Sequence, residues 1–146
     1  MEVIISHQSE VLFNRRYYDS GIINDNKYKE GIIHGIESLA ANLEDEMLQF
    51  TLGTYTIVLY SKNIPFRDIS EKKSKIHIYC IIDKNTKIET LRKYMKIILS
   101  SFTNRFSSFD IINHNLNKFT LFNKRVDAIL GDLIYKSEDR FHNLIF

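Results

Sequence analysis

The stretch "FNRRYY", residues 13–18, sets Arg15 and Arg16 beside Tyr17 and Tyr18. Guanidiniums hold phosphates and aromatic rings stack on bases, so this composition can grip single-stranded nucleic acid. It can equally be a half-buried strand. Five histidines occur, His7, His34, His77, His114 and His142, and none has a second His or Cys at metal-ligand spacing. A structural or surface role is the expectation for each. Cys80 lies three residues from His77 in "IHIYCIID". Three residues apart on a strand means opposite faces, so the two do not form a nucleophile–base pair. There is no GxSxG elbow and no GxxxxGK[ST] phosphate loop. The expectation is a chain without catalytic, metal-binding or cofactor-binding residues.

Composition narrows the classes further. The chain has 146 residues, 44% hydrophobic and 26% charged, with one proline. That length fits one domain spanning 1–146, and the balance is that of a chain able to bury a core. Lysine and arginine total 20 against 18 acids, a formal charge of +2. The sequence pI of 8.6 falls short of a strong nucleic-acid footprint. Cys80, the lone cysteine, has no intrachain partner and sits in an apolar run, where it behaves as a small buried hydrophobe. "MEVIISHQSE" lacks the basic start of a signal peptide, and no stretch reaches the roughly 18 apolar residues of a membrane span. The expected location is the cytoplasm.

The elements that position these residues follow from periodicity. "EVIIS" (2–6) and "VLFNRRYY" (11–18) read as a hairpin across the polar turn "HQSE". Alternation puts Val11, Phe13, Arg15 and Tyr17 on one side and Leu12, Asn14, Arg16 and Tyr18 on the other. A helix is expected from Asn26 to Leu43, with Asp25 or Asn26 as N-cap and an apolar stripe of Ile32, Ile36, Leu39 and Leu43. Gly31 and Gly35 lie on the neighbouring stripe. Each costs about 1 kcal/mol against alanine in a helix. Two readings explain them: close packing of the helix on the sheet, or docking of a partner helix or second copy.

Strands are expected at 47–53 and 54–63, joined by a tight turn at Gly53, and at 75–83. The last is apolar almost throughout, as a central strand covered on both faces would be. The charge run "SEKKSK" (70–75) reads as a solvated loop or a weak contact for an acidic or anionic surface. "NTKIETLRKYMKIILSSFTNRF" is a helix with Ile88, Leu91, Met95, Ile98 and Phe102 inward, and with Thr86 and Glu89 spaced as a capping box. "NKFTLFNKRVDAILGDLIY" is a last helix with Phe119, Phe122, Val126, Ile129 and Leu133 on one face. The tail after Tyr135 reads as an extra turn or strand. The order β-β-α-β-β-β-α-α makes an α+β domain, a five-stranded antiparallel sheet with helices on both faces.

That order, from "EVIISHQSEVLFNRRYY" through "KYKEGIIHGIESLAANL", "LQFTLGTYTIVLYSKN" and "KIHIYCIID" to "DAILGDL", resembles the longin domain. Roadblock and profilin domains share the build but usually place a helix before the first strand. Unlike the longins of membrane-fusion proteins, this sequence carries no coiled-coil heptads or membrane anchor after the domain. The resemblance implies a soluble, non-catalytic protein-interaction module, a scaffold in a vesicle-trafficking or small-GTPase-regulating assembly. Its implied partners are a small GTPase, another longin- or roadblock-like chain, or a second copy in a homodimer. The partner-binding candidates are Arg15, Arg16 and Tyr17 on the second strand and Gly31 and Gly35 on the first helix. The alternative is a single-stranded nucleic-acid-binding domain using "FNRRYY". It requires Arg15 and Tyr17 to share an exposed basic face.

Overall fold

Aliphatic and β-branched runs become strands here, and the polar pairs between them become tight turns. The computed structural model describes residues 1–18, 26–40, 47–64, 74–83 and 86–135. β1 (Glu2–His7) and β2 (Glu10–Arg16) form a hairpin, and α1 (Asn26–Ala40) follows. β3 (Leu48–Leu52), β4 (Tyr55–Ile64) and β5 (Ser74–Asp83) come next, then α2 (Ile88–Arg105). The sheet order is β2-β1-β5-β4-β3, and each neighbouring pair is antiparallel. β5 is therefore central, as its unbroken apolar run implies, and the two strands expected at 47–53 and 11–18 are the edges. Gly53 takes φ +63° in the two-residue turn before Tyr55, a conformation that glycine adopts without strain.

Two apolar layers sandwich the sheet. The larger gathers Val3, Ile5, Val58, Ile78 and Cys80 from the strands with Leu91, Met95, Ile98 and Phe102 of α2. The smaller lies on the opposite face, where Ile33 and Ile36 of α1 meet Ile4, Ile57, Leu59, Tyr79 and Ile81. The stripe expected on α1 is thus rotated. Ile33 is buried and Leu39 is 63% exposed, while Leu43 and Asp25 lie outside the described residues. Five phenylalanines knit the larger layer. Phe102, Phe106, Phe119 and Phe122 pack with centroids 4.9–6.0 Å apart, and Phe13 meets Phe122 edge-on at 5.7 Å. Burying each such ring contributes about 1.5–3 kcal/mol, and their mutual geometry adds to it.

The C-terminal helix is not continuous. It divides into α3 (Ser108–Ile112), α4 (Leu116–Phe119), a 3-10 turn (Thr120–Phe122), α5 (Asn123–Leu130) and a second 3-10 turn (Gly131–Ile134). Ser107 caps α3 by accepting from the Asp110 amide at 3.1 Å. His114 at φ +51° then interrupts the helix, and Gly131 at φ +55° ends α5. Phe119, Phe122 and Val126 are still buried, as their spacing implies. The capping box on α2 does not form. Lys87 is the N-cap without a side-chain bond, and the Thr86 hydroxyl donates backwards to Asp83 at 2.9 Å.

A bulge breaks the alternation of β2. Ile5 pairs with Phe13 but Ser6 pairs with Val11, so Leu12 is the extra residue. Leu12 and Phe13 both enter the larger layer, while Val11 packs on the smaller. Val11 and Phe13 therefore face opposite layers, contrary to the strict period.

Candidate functional site

The β1–β2 turn is where the structure collects its polar chemistry. Its two central residues, Gln8 and Ser9, have φ +50° and +63°. A two-residue hairpin with both central φ positive normally takes Asn-Gly, since left-handed backbone costs an ordinary residue about 1–2 kcal/mol. Here two non-glycine residues hold it, and the bonds around the turn show what keeps it so.

On the α1 face, Glu37 is buried and accepts two serine hydroxyls, Ser6 at 2.5 Å and Ser9 at 2.7 Å. The Ser9 proton goes to Glu37, so His34 Nδ1, 3.3 Å away, acts as donor to the same hydroxyl. Ser6 stands opposite His77 on β5, and His77 stands opposite Ser61 on β4, whose Oγ is 2.7 Å from His77 Nδ1. Burial holds His77 below the ordinary histidine pKa; Glu37 opposes the shift and Lys75 adds to it. The Tyr79 hydroxyl is enclosed near Ser6 and Glu37, and burial first, then the Glu37 charge, pushes its phenol far up. Ser61 and His77 are 4% and 6% exposed, so their hydroxyl–imidazole pair is not presented to a substrate.

On the opposite face, His7 Nδ1 lies 3.0 Å from His114 Nε2, and His114 Nδ1 is paired with the Glu10 carboxylate. Glu10 is the cross-strand partner of His7. Burial, then His114 and His77, hold the His7 pKa down, against Glu37 and Glu10. Four of the histidines expected in structural or surface roles gather at one end of the sheet, two on each of its faces. Among the described residues no three His, Cys, Asp or Glu side chains are placed to hold a metal. His142 lies outside the described residues. Cys80 is fully buried on the face away from His77, its thiol pushed up to about 12 by burial.

The residues singled out in the sequence fare differently. Arg15 and Tyr17 do share a face, but it packs against α5. Asp127 accepts from Arg15 Nε at 3.2 Å, from Arg15 Nη2 at 3.0 Å and from the Tyr17 hydroxyl at 2.5 Å. The guanidinium also lies 5.5 Å from the Tyr17 ring centre. Arg16 reaches Glu2, its cross-strand partner, at 3.9 Å. Both arginines of the strip are therefore paired with carboxylates of this chain, while their side chains stay 38% and 42% exposed. Gly31 and Gly35 are exposed, and a Cβ built on either meets nothing within 4 Å. That removes close packing as their explanation. They form an open stripe with the exposed Leu39.

The two sheet edges are unlike. β2 carries Glu10, Arg15 and Arg16, contains the bulge and packs against α4. Charges and bulges are the devices that protect an edge. β3, "LQFTL", has neither charge nor proline. Its closing pair across the two-residue turn is Leu52–Tyr55, a hydrogen-bonded pair in such hairpins. By alternation Gln49 and Thr51 then aim N–H and C=O outward. Both side chains are exposed. Between α1 and strands β1, β5 and β4, six isoleucines and Tyr79 line a wholly apolar cleft of about 20 Å³. It is water-sized, yet its walls offer water no partner.

No protein-family model matches this chain, and no curated protein matches it.

Proposed function

We propose that the chain is a longin-like protein-interaction module, without catalysis, that receives its partner as an added strand along β3. The observation that carries this reading is the contrast between the edges: β2 is charged, bulged and packed against a helix, while β3 leaves outward amides on an uncharged strand. Main-chain pairing on such an edge supplies affinity, and the flanking apolar side chains supply selectivity. Leu48 and Phe50 are part-buried on the α1 side, so a bound strand would complete the smaller apolar layer. The antiparallel order β2-β1-β5-β4-β3, with α1 on one face and α2 on the other, is compatible with the resemblance. The partner in this reading is a small GTPase or another longin- or roadblock-like chain in a cytoplasmic assembly. A homodimer is the variant in which β3 pairs with itself. Among the described residues no helix is long and apolar enough to cross a membrane.

Proline at Thr51 tests it, since this removes one outward N–H and leaves the ladder to β4 intact. Purified small GTPases and longin-like chains from the same genome are titrated against both proteins. Binding by wild type, lowered at least about tenfold (1.4 kcal/mol) in Thr51→Pro with an unchanged melting curve, is the expected result. Equal binding by both proteins would move the interface off β3. A wild type that stays monomeric and binds none of them would refute the module itself.

A further inference from the structure

Three titratable side chains run inward from solvent at the hairpin end. Glu10 is 47% exposed at its side chain, His114 is 20% exposed, and His7 is fully buried. They join three separate pieces of chain: β1, β2 and the turn between α3 and α4, whose His114 is held left-handed at φ +51°. We infer that Glu10, His114 and His7 form a proton-operated clasp that fastens the α3–α4 turn to the β1–β2 hairpin, kept through the first added proton and opened by the second.

The reasoning is a count of ring protons. With both rings neutral, His114 gives its Nδ1–H to Glu10, so its Nε2 accepts from His7 Nδ1–H. One added proton keeps every bond. His114 becomes a cation beside Glu10 and donates from Nε2 to His7 Nδ1, which then carries its own proton on the other nitrogen. A second added proton puts hydrogens on both facing nitrogens, 3.0 Å apart. The shared bond is then lost and two cations face each other. Glu10 from β2 opposes this, as does Glu37 of α1 from the far side of the sheet, while His77 of β5 reinforces it once charged. Because the pair is coupled, its two steps belong to both rings together. The inference concerns only the hairpin end and stands whether or not β3 binds a partner.

Nitrogen-15 imidazole NMR and amide hydrogen exchange of the whole chain test it between pH 8 and pH 4.5. Wild type should show two steps more than about one pH unit apart for His7 and His114. With the second step, exchange at 113–116, corrected for its intrinsic pH dependence, should rise about tenfold or more. Glu10→Gln removes the anion that favours the first proton, so the first step should move to lower pH. His114→Gln cannot accept a proton, so the clasp-linked rise at 113–116 should vanish while His7 still titrates. Independent single steps for the two rings would overturn the inference. So would the same exchange profile in His114→Gln as in wild type. Should His114→Gln fail to fold, an unmoved first step in Glu10→Gln overturns it alone.

Discussion

Asp127 is the side chain through which α5 holds the end of β2, and Asp127→Ala measures how firmly. The carboxylate accepts two bonds from Arg15 and one from Tyr17. Arg15 and Asp127 keep 38% and 31% of their side chains exposed, so solvent screens the ion pair. Even bidentate, it contributes about 0.5–1 kcal/mol. The Tyr17 bond is different. Burial first, then Asp127, holds that hydroxyl protonated far above the usual phenol range, so it stays a donor to a charged acceptor. Such a bond is worth about 1.5 kcal/mol. The sum is about 2 kcal/mol, which for a chain of this size lowers the melting temperature by about 4–8 °C. Urea denaturation of Asp127→Ala, Tyr17→Phe and the double variant gives the coupling directly, expected at about 1 kcal/mol. A loss below about 0.5 kcal/mol for Asp127→Ala, within the range of ordinary surface changes, would refute the assignment, as would strict additivity of the pair. A gel-shift assay with a single-stranded oligonucleotide at low salt adds a second check. Binding by wild type would mean that Arg15 is freer than its bonds to Asp127 allow.

Two further outcomes follow from the buried histidines and the open glycines. His7 and His77 have pKa values held below 6.5 in the folded chain, so below pH 6.5 the unfolded chain binds more protons than the folded one. Stability is therefore full above about pH 6.5 and falls as pH drops toward the folded values; melting curves from pH 8 to pH 5 that stay flat would contradict the burial of both rings. Gly31→Ala and Gly35→Ala meet open space, so each should stabilise the chain by about 1 kcal/mol through helix propensity, and a loss of stability in either would place a neighbour against α1.

Much of the fold was legible because its signals are local. The near-continuous apolar run of β5 marked a central strand, and Leu91, Met95, Ile98 and Phe102 marked the inner side of α2, all four buried as expected. The break-up of the last helix was not legible. Phe119, Phe122 and Val126 keep spacings of three and four whether the backbone is α-helical throughout or passes through a 3-10 turn, so side-chain periodicity cannot tell them apart. The bulge at Leu12 escaped for a similar reason. Both Leu12 and Phe13 are apolar, and only pairing with Ile5 and Ser6 shows that they share a layer. Thr86 is not the cap because the helix begins one residue later, with Lys87 at the N-cap position, and the Thr86 hydroxyl donates to Asp83 three residues upstream.

The candidate site was hidden by distance along the chain. His7 and His114 are 107 residues apart, Arg15 and Asp127 are 112 apart, and Ser6 and Glu37 are 31 apart. No spacing rule reaches across such gaps. One local sign did exist. "HQSE" is a two-residue hairpin turn with neither glycine nor asparagine, so something outside it has to hold two left-handed residues in place. Glycine at position 9 would relax the backbone, but Glu37 would then lose one of its two hydroxyl donors and His34 its acceptor. Serine keeps α1 tied to the hairpin on one face, while His7 and Glu10, the pair that closes the turn, hold His114 on the other. The strained turn thus fastens α1 on one face of the sheet and the α3–α4 turn on the other, and its sequence is explained by those bonds rather than by turn preference.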